Sequence, residues 1–181
     1  MITLNLRALL NEVILEVGDM EQISPYKYSK TSNTNYNFTT EQGDRVNVEF
    51  PTYPLNYIKS SLPNDIDKNG EFTNIEFSIE GVDSQFKKSN YKYLVKILKT
   101  IMDITLKYLS TNTPQYVLIA ATNKTKGKEY DELDPQKIQL YQAMVLKNIN
   151  KLPKYNGDWG YRKISNVLGM KGDSILLYNG N

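Results

Sequence analysis

Apolar side chains recur at Leu6, Leu9, Leu10, Val13, Ile14 and Val17, the i, i+3, i+4, i+7 spacing of one helix face, and Gly18 follows as a stop. This pattern predicts a first helix over residues 4–17. Residues 19–35 carry Pro25 and repeated Ser, Thr and Asn without a period, so an irregular or extended segment is expected there. The period then changes to two. Tyr36 and Phe38, and after them Val46, Val48 and Phe50, alternate with polar residues on either side of Glu41-Gln42-Gly43-Asp44, which is the signature of a β-hairpin. Pro51 and Pro54 end its second strand, residues 55–62 predict a short helical turn before Pro63, and Ile75, Phe77 and Ile79 alternate through a third strand over 72–80.

The strongest helical periodicity spans residues 90–109. Leu94, Ile97, Leu98, Ile101, Met102, Thr105, Tyr108 and Leu109 make a wide apolar face, with Lys92, Lys96, Lys99, Asp103 and Lys107 opposite. Asn112-Thr113-Pro114 ends this helix. The continuous run Tyr116-Val117-Leu118-Ile119-Ala120-Ala121 within 115–122 then predicts a central strand covered on both faces. Asp134-Pro135 supplies a cap and a first-turn proline for a helix reaching Leu152, with Ile138, Tyr141, Met144, Val145 and Ile149 on its buried side. Residues 161–167 and 174–178 predict a terminal hairpin. The order α-β-β-β-α-β-α-β-β describes an α+β fold: a mixed, mainly antiparallel sheet flanked by helices. No repeat or composition shift divides the 181 residues, so one domain over 1–181 is expected.

Composition narrows the chemistry. The chain has no cysteine, which removes disulfides, thiolate nucleophiles and Cys-ligated metal centres, and no histidine, which removes imidazole-based triads and proton shuttles. Acid–base chemistry would have to run on Asp, Glu, Lys or Tyr with strongly shifted pKa values, and no catalytic residue is assigned. A net charge of +2 is too mild to imply nucleic acid or an anionic membrane. No run approaches the ~20 apolar residues that span a bilayer, and Met1 to Leu6 lacks the basic and apolar blocks of a secretory signal. Lys, Asn, Ile and Tyr are abundant while Arg occurs only at positions 7, 45 and 162. That bias points to an AT-rich genome, such as those of many bacteria and their phages, and the virion or the host cytoplasm is the expected location.

Four local features invite functional readings. Residues 65–76 satisfy the calcium-loop pattern D-x-[DN]-x-[DN]-G-x₅-E, making Asp65, Asp67, Asn69, Glu71 and Glu76 candidate oxygen ligands for calcium. The plainer reading is a polar connection with a turn at Lys68-Asn69-Gly70-Glu71, because Pro63 and the alternation after Glu71 do not fit the two flanking helices of an EF-hand. Lys87, Lys88, Lys92, Lys96 and Lys99, with Lys124, Lys126 and Lys128 and the rings of Phe86, Tyr91 and Tyr93, could meet phosphates and bases. A solvated helix face is the favoured account of them, so nucleic acid is not the expected partner. Asp131, Glu132 and Asp134 form an acidic group best read as a cap and its helix-dipole partners. Trp159, in Gly157-Asp158-Trp159-Gly160-Tyr161, is expected to anchor a loop to the core.

The element order resembles the GNAT acetyltransferase fold and that of a group of small tailed-phage proteins. The residues carrying the resemblance are Tyr91, Leu94, Ile97, Ile101 and Ile104 on the long helix, the strand Tyr116 to Ala121, Leu140-Tyr141, and Gly160-Tyr161. The resemblance implies a GNAT-like sheet and, for an acetyltransferase, acetyl-CoA held by a turn of the form Q/R-x-x-G-x-G/A before the long helix. This chain has Gly81-Val82-Asp83-Ser84-Gln85-Phe86-Lys87-Lys88-Ser89-Asn90 at that turn, so the motif is unmatched and no cofactor-binding residue is assigned. Three readings follow. The first is a non-enzymatic phage protein, a virion component or accessory factor working through protein contacts or self-assembly. The second is an acetyltransferase with an altered cofactor turn and Tyr161 or Tyr178 as general acid. The third is a calcium-stabilised binding module.

Overall fold

A computed structural model describes residues 22–66, 68–80, 91–120, 142–145, 147–155, 157–167 and 172–180. The helix expected over 4–17, the turn at 81–90, the acidic group at 131–134 and the start of the helix expected from Asp134 lie outside the described residues. The fold is mixed α+β, with two sheets. The first contains β1 (Tyr28–Lys30), β2 (Asn35–Thr39), β3 (Arg45–Glu49) and β6 (Glu76–Glu80), in the order β1-β2-β3-β6. The second contains β4 (Thr52–Pro54), β5 (Glu71–Asn74), β7 (Tyr116–Ile119), β8 (Trp159–Ser165) and β9 (Asp173–Asn179), in the order β4-β5-β7-β9-β8. Every pairing is antiparallel except β5 with β7.

The expected hairpin is β2–β3, with Tyr36 opposite Val48 and Phe38 opposite Val46. Gly43 takes φ +86°, a left-handed conformation that glycine adopts without a Cβ penalty, and the turn closes through Thr40 N–H to Asp44 O at 2.9 Å. The segment expected to be irregular or extended contributes the additional edge strand β1. The third strand expected over 72–80 is instead divided at Ile75 between the two sheets, and β3 and β4 divide in the same way at Phe50-Pro51.

The two halves nevertheless keep one register. Glu49 faces Glu76 and, three residues further on each strand, Thr52 faces Thr73. Asn74 N–H bridges the break to Pro51 O at 2.8 Å, whereas Pro51 has no N–H to donate, and Phe50 N–H turns to Thr34 O at 2.9 Å. On the far side, Ile75 N–H reaches Leu118 O at 3.0 Å, after which β6 follows β3 and leaves β7. The physical reason is a change of partners along one long hairpin: β5 is held by β7, and β6 is not.

The helix α1 (Tyr91–Thr111) covers one face of both sheets. Val95, Ile97, Leu98, Ile101, Ile104, Tyr108 and Leu109 are buried, and residue parity in the strands sorts the rest. Val46, Val48, Phe50, Val117, Ile175 and Leu177 join α1 in one cluster. Phe72, Tyr116, Leu118, Ile164 and Leu176 face the other way, onto the 3-10 segment Leu55–Ser61. This explains why the run at 116–119 is apolar throughout. Residues 142–145 and 147–148 are helical and lead into a 3-10 turn, Ile149–Lys151, that closes against the α1 side.

Candidate functional site

Where β6 parts from β7 the sheets leave a cleft, roofed by α1 and by the helical residues after 141. A cavity of about 50 Å³ remains in it, walled by Ile75, Phe77, Ile119, Leu98, Met102 and Met144. Thr105 is the polar side chain among the lining residues, and its hydroxyl donates to Ile101 O in its own helix at 2.8 Å. Among the described residues no titratable side chain lines this space. A cavity with that lining favours apolar groups and offers no acid, base or oxyanion donor.

The two tyrosines named as candidate acids fall on opposite faces of β8 and β9. Tyr161 packs with the α1 cluster, Tyr178 with the other cluster, and neither is among the side chains lining the cleft. Tyr178 lies flat across Gly160, its direct strand partner, so closely that a Cβ there would sit 2.4 Å from the ring. Any larger residue at this position would force the Tyr178 ring to shift.

Asp65 accepts two hydrogen bonds from the Arg162 guanidinium, at 2.9 and 2.7 Å, and that pairing holds its carboxyl below the usual range. Asp67 lies outside the described residues, Asn69 is exposed, Glu71 opens β5, and Glu76 opens β6. Among the described residues no group of three or more acidic side chains is placed to hold a metal ion. The segments flanking the loop are a 3-10 turn and a strand.

Lys87, Lys88, Lys124, Lys126 and Lys128 lie outside the described residues, and of the lysine stripe on α1, Lys96 and Lys107 are accounted for locally. The segment before β1 runs over it: Lys96 Nζ stands 4.2 Å from the Tyr26 ring centroid, Lys107 Nζ 5.3 Å from that of Tyr28, and Tyr26 N–H donates to Thr100 Oγ1 at 2.9 Å. Tyr26 and Tyr93 hydroxyls donate to Glu41 and Asp44 of the β2–β3 turn, and Tyr28 donates to Asp103 at 3.0 Å. The sequence showed the lysines but not the tyrosines that cover them, because no local spacing links residues 26–28 to 96–107.

These phenols set an alkaline limit on the fold. Burial, then the Asp103 hydrogen bond and charge, push Tyr28 up to about 12 from the ordinary 10.0. Burial also raises Tyr36, Tyr93, Tyr108 and Tyr155, with Asp44 contributing at Tyr93. A raised folded-state pKa stabilises while the phenol is protonated. The contribution is complete below the ordinary phenol value and is lost as pH climbs from there through the folded values. Stability measured by denaturant is therefore expected to fall steeply above pH 10.0. Ultraviolet titration should show a normal class of phenols ionising before unfolding and a second class ionising with it. A single class titrating before any loss of structure would contradict this.

No protein-family model matches the chain, and neither the curated proteins nor the solved structures contain a match to it. No helix among the described residues is long and apolar enough to cross a membrane.

Proposed function

We propose that the chain is a GNAT-like scaffold used as a non-enzymatic phage protein, a virion component or accessory factor acting through protein contacts. The strand order supports the scaffold. Joined through their common register at Phe50-Pro51 and Ile75, the strands run β1, β2, β3/β4, β5/β6, β7, β9, β8, with the parallel pair at the centre and a helix crossing between its two strands.

The observation that carries the non-enzymatic reading is the size and lining of the cleft. Acetyl-CoA, which the resemblance implies, would lay its pantetheine arm where β6 leaves β7. Ligand pockets enclose roughly 300–1,000 Å³. The described cleft holds about 50 Å³ and presents hydrocarbon where the arm's two amides need partners. The lining of this cleft supports a role without acetyl-CoA. The sequence of the 81–90 turn agrees, with Phe86, Lys87 and Lys88 in place of glycines.

The parting of β6 from β7 itself favours the second reading, an acetyltransferase with an altered turn. Calorimetry with acetyl-CoA separates the two: no heat of binding is expected, and binding with acetyl transfer by the pure protein would overturn the proposal. The phage assignment is tested by mass spectrometry of purified particles and of infected cells from the phage carrying the gene. Detection in particles supports the virion role and detection only in cells the accessory role. Absence from both overturns it.

A further inference from the structure

Three Asn-Gly pairs occur in the chain, at 69–70, 156–157 and 179–180. Asparagine is a thermally labile residue, and this dipeptide has a chemistry of its own. The backbone nitrogen of the glycine attacks the side-chain amide carbon of the asparagine, and the missing glycine side chain leaves the approach open. The N–Cγ bond forms, the Cγ–Nδ2 bond breaks, and Nδ2 leaves as ammonia with the proton from the backbone nitrogen. A five-membered succinimide remains. Water then opens this ring at the side-chain carbonyl to give aspartate, or at the main-chain carbonyl to give isoaspartate, whose main chain runs through Cβ and Cγ. Ring closure requires the asparagine side chain and the following peptide plane to turn against each other, so the fold decides which pair reacts.

The fold treats Asn69 and Asn179 differently, while Asn156 lies outside the described residues. Asn69 sits in the turn that enters β5, with its side chain exposed. The hydrogen bond holding this turn to the 3-10 segment, Leu55 N–H to Gly70 O at 2.9 Å, is made by the peptide after the one that must move. Asn179, at the end of β9 opposite Trp159, is only 1% exposed. Its N–H donates to Gln115 O at 2.9 Å and its Nδ2 to Gly157 O at 3.1 Å, so turning the side chain would break a bond in a closed space.

We propose that Asn69 is a site of spontaneous deamidation, and that the isoaspartate formed there loosens the start of β5. The loosening comes from what Gly70 touches. A Cβ at Gly70 would stand 3.3 Å from Leu55 Cδ1 and 3.8 Å from Tyr116 Cε2, and Leu55 is fully buried. The backbone here therefore lies directly on the second core cluster. Isoaspartate puts one more carbon into the main chain immediately before Gly70, and the next rung is Glu71 opposite Pro54. Either the Leu55–Gly70 hydrogen bond and that rung shift, or Leu55 is displaced from a close-packed site. Aspartate at position 69 adds a charge to an exposed side chain and leaves the main chain unchanged.

The test is to age the full chain for days in mildly alkaline buffer, folded and in urea, and to map it by peptide mass spectrometry with electron-transfer fragmentation, which tells isoaspartate from aspartate. In the folded chain Asn69 should convert while Asn179 is retained, and in urea both should convert. The isoaspartyl form, isolated by ion exchange, should melt below Asn69→Asp by about 2–4 °C, the scale of a modest loss in a chain of this length. Asn69→Asp has the same charge on a normal backbone and should melt with wild type. Aged Asn69→Gln should show no fall. Asn69 intact after ageing of the folded chain, Asn179 converting there as fast as Asn69, Asn179 intact in urea as well, an isoaspartyl form that melts with Asn69→Asp, or an equal fall in aged Asn69→Gln each overturns the proposal.

Discussion

Replacing Phe50 by alanine is expected to lower the unfolding free energy by about 3–5 kcal/mol, the range for a large aromatic removed from a core. Phe50 is fully buried at the residue where β3 passes from one sheet to β4 of the other. Its ring stacks on Tyr108 of α1 with centroids 4.0 Å apart and planes within 3°, and meets Tyr36 of β2 edge-on at 5.9 Å. One side chain thus joins both sheets to the helix. Its loss leaves a cavity that strands held by neighbouring rungs cannot close. Because domains are stable by only about 5–15 kcal/mol, the variant should be mostly unfolded in moderate denaturant where wild type remains folded. Phe50→Leu, which keeps most of the volume, should cost markedly less. Urea titration followed by circular dichroism decides it, and equal midpoints for wild type and Phe50→Ala would refute the assignment.

Trp159→Ala should produce the second large loss, also about 3–5 kcal/mol. Trp159 is buried at the start of β8, its Nε1–H donates to Pro153 O at 2.7 Å, and its ring meets Tyr155 edge-on with centroids 6.1 Å apart. It therefore holds the connection between residue 152 and β8 onto the α1 cluster. Trp159→Phe separates the two contributions. It keeps an aromatic ring but leaves the Pro153 carbonyl without its donor, an expected cost of about 1–3 kcal/mol. A phenylalanine variant as unstable as the alanine variant would mean that the hydrogen bond, and not the ring, is the anchor.

The anchoring role of Trp159 was legible beforehand, since a single tryptophan beside glycines at a strand entry has few other uses. So were β2–β3, α1, the apolar β7 and the β8–β9 hairpin, each marked by periodicity within one segment. The cleft and the Glu49–Glu76 pair were not. Their members come from segments far apart in the chain, and only strand register brings them together. The calcium-loop pattern pointed to Glu76, yet the neighbours the fold gives it are Glu49 and Asn74, while Asp65 is taken by Arg162.

The amino-acid sequence by itself determined the class of fold, the alternation that gives each strand its buried face, and the residue types available for chemistry, because these depend on side-chain identity and short-range spacing. The tertiary structure alone decided that the strand over 72–80 divides at Ile75 between two sheets, and with it the position of the cleft and the pairing of two glutamates. Division depends on which partner lies beside each half of a strand. β7 beside β5, with none of the described strands beside the outer edge of β6, is a fact of long-range packing that no local pattern encodes.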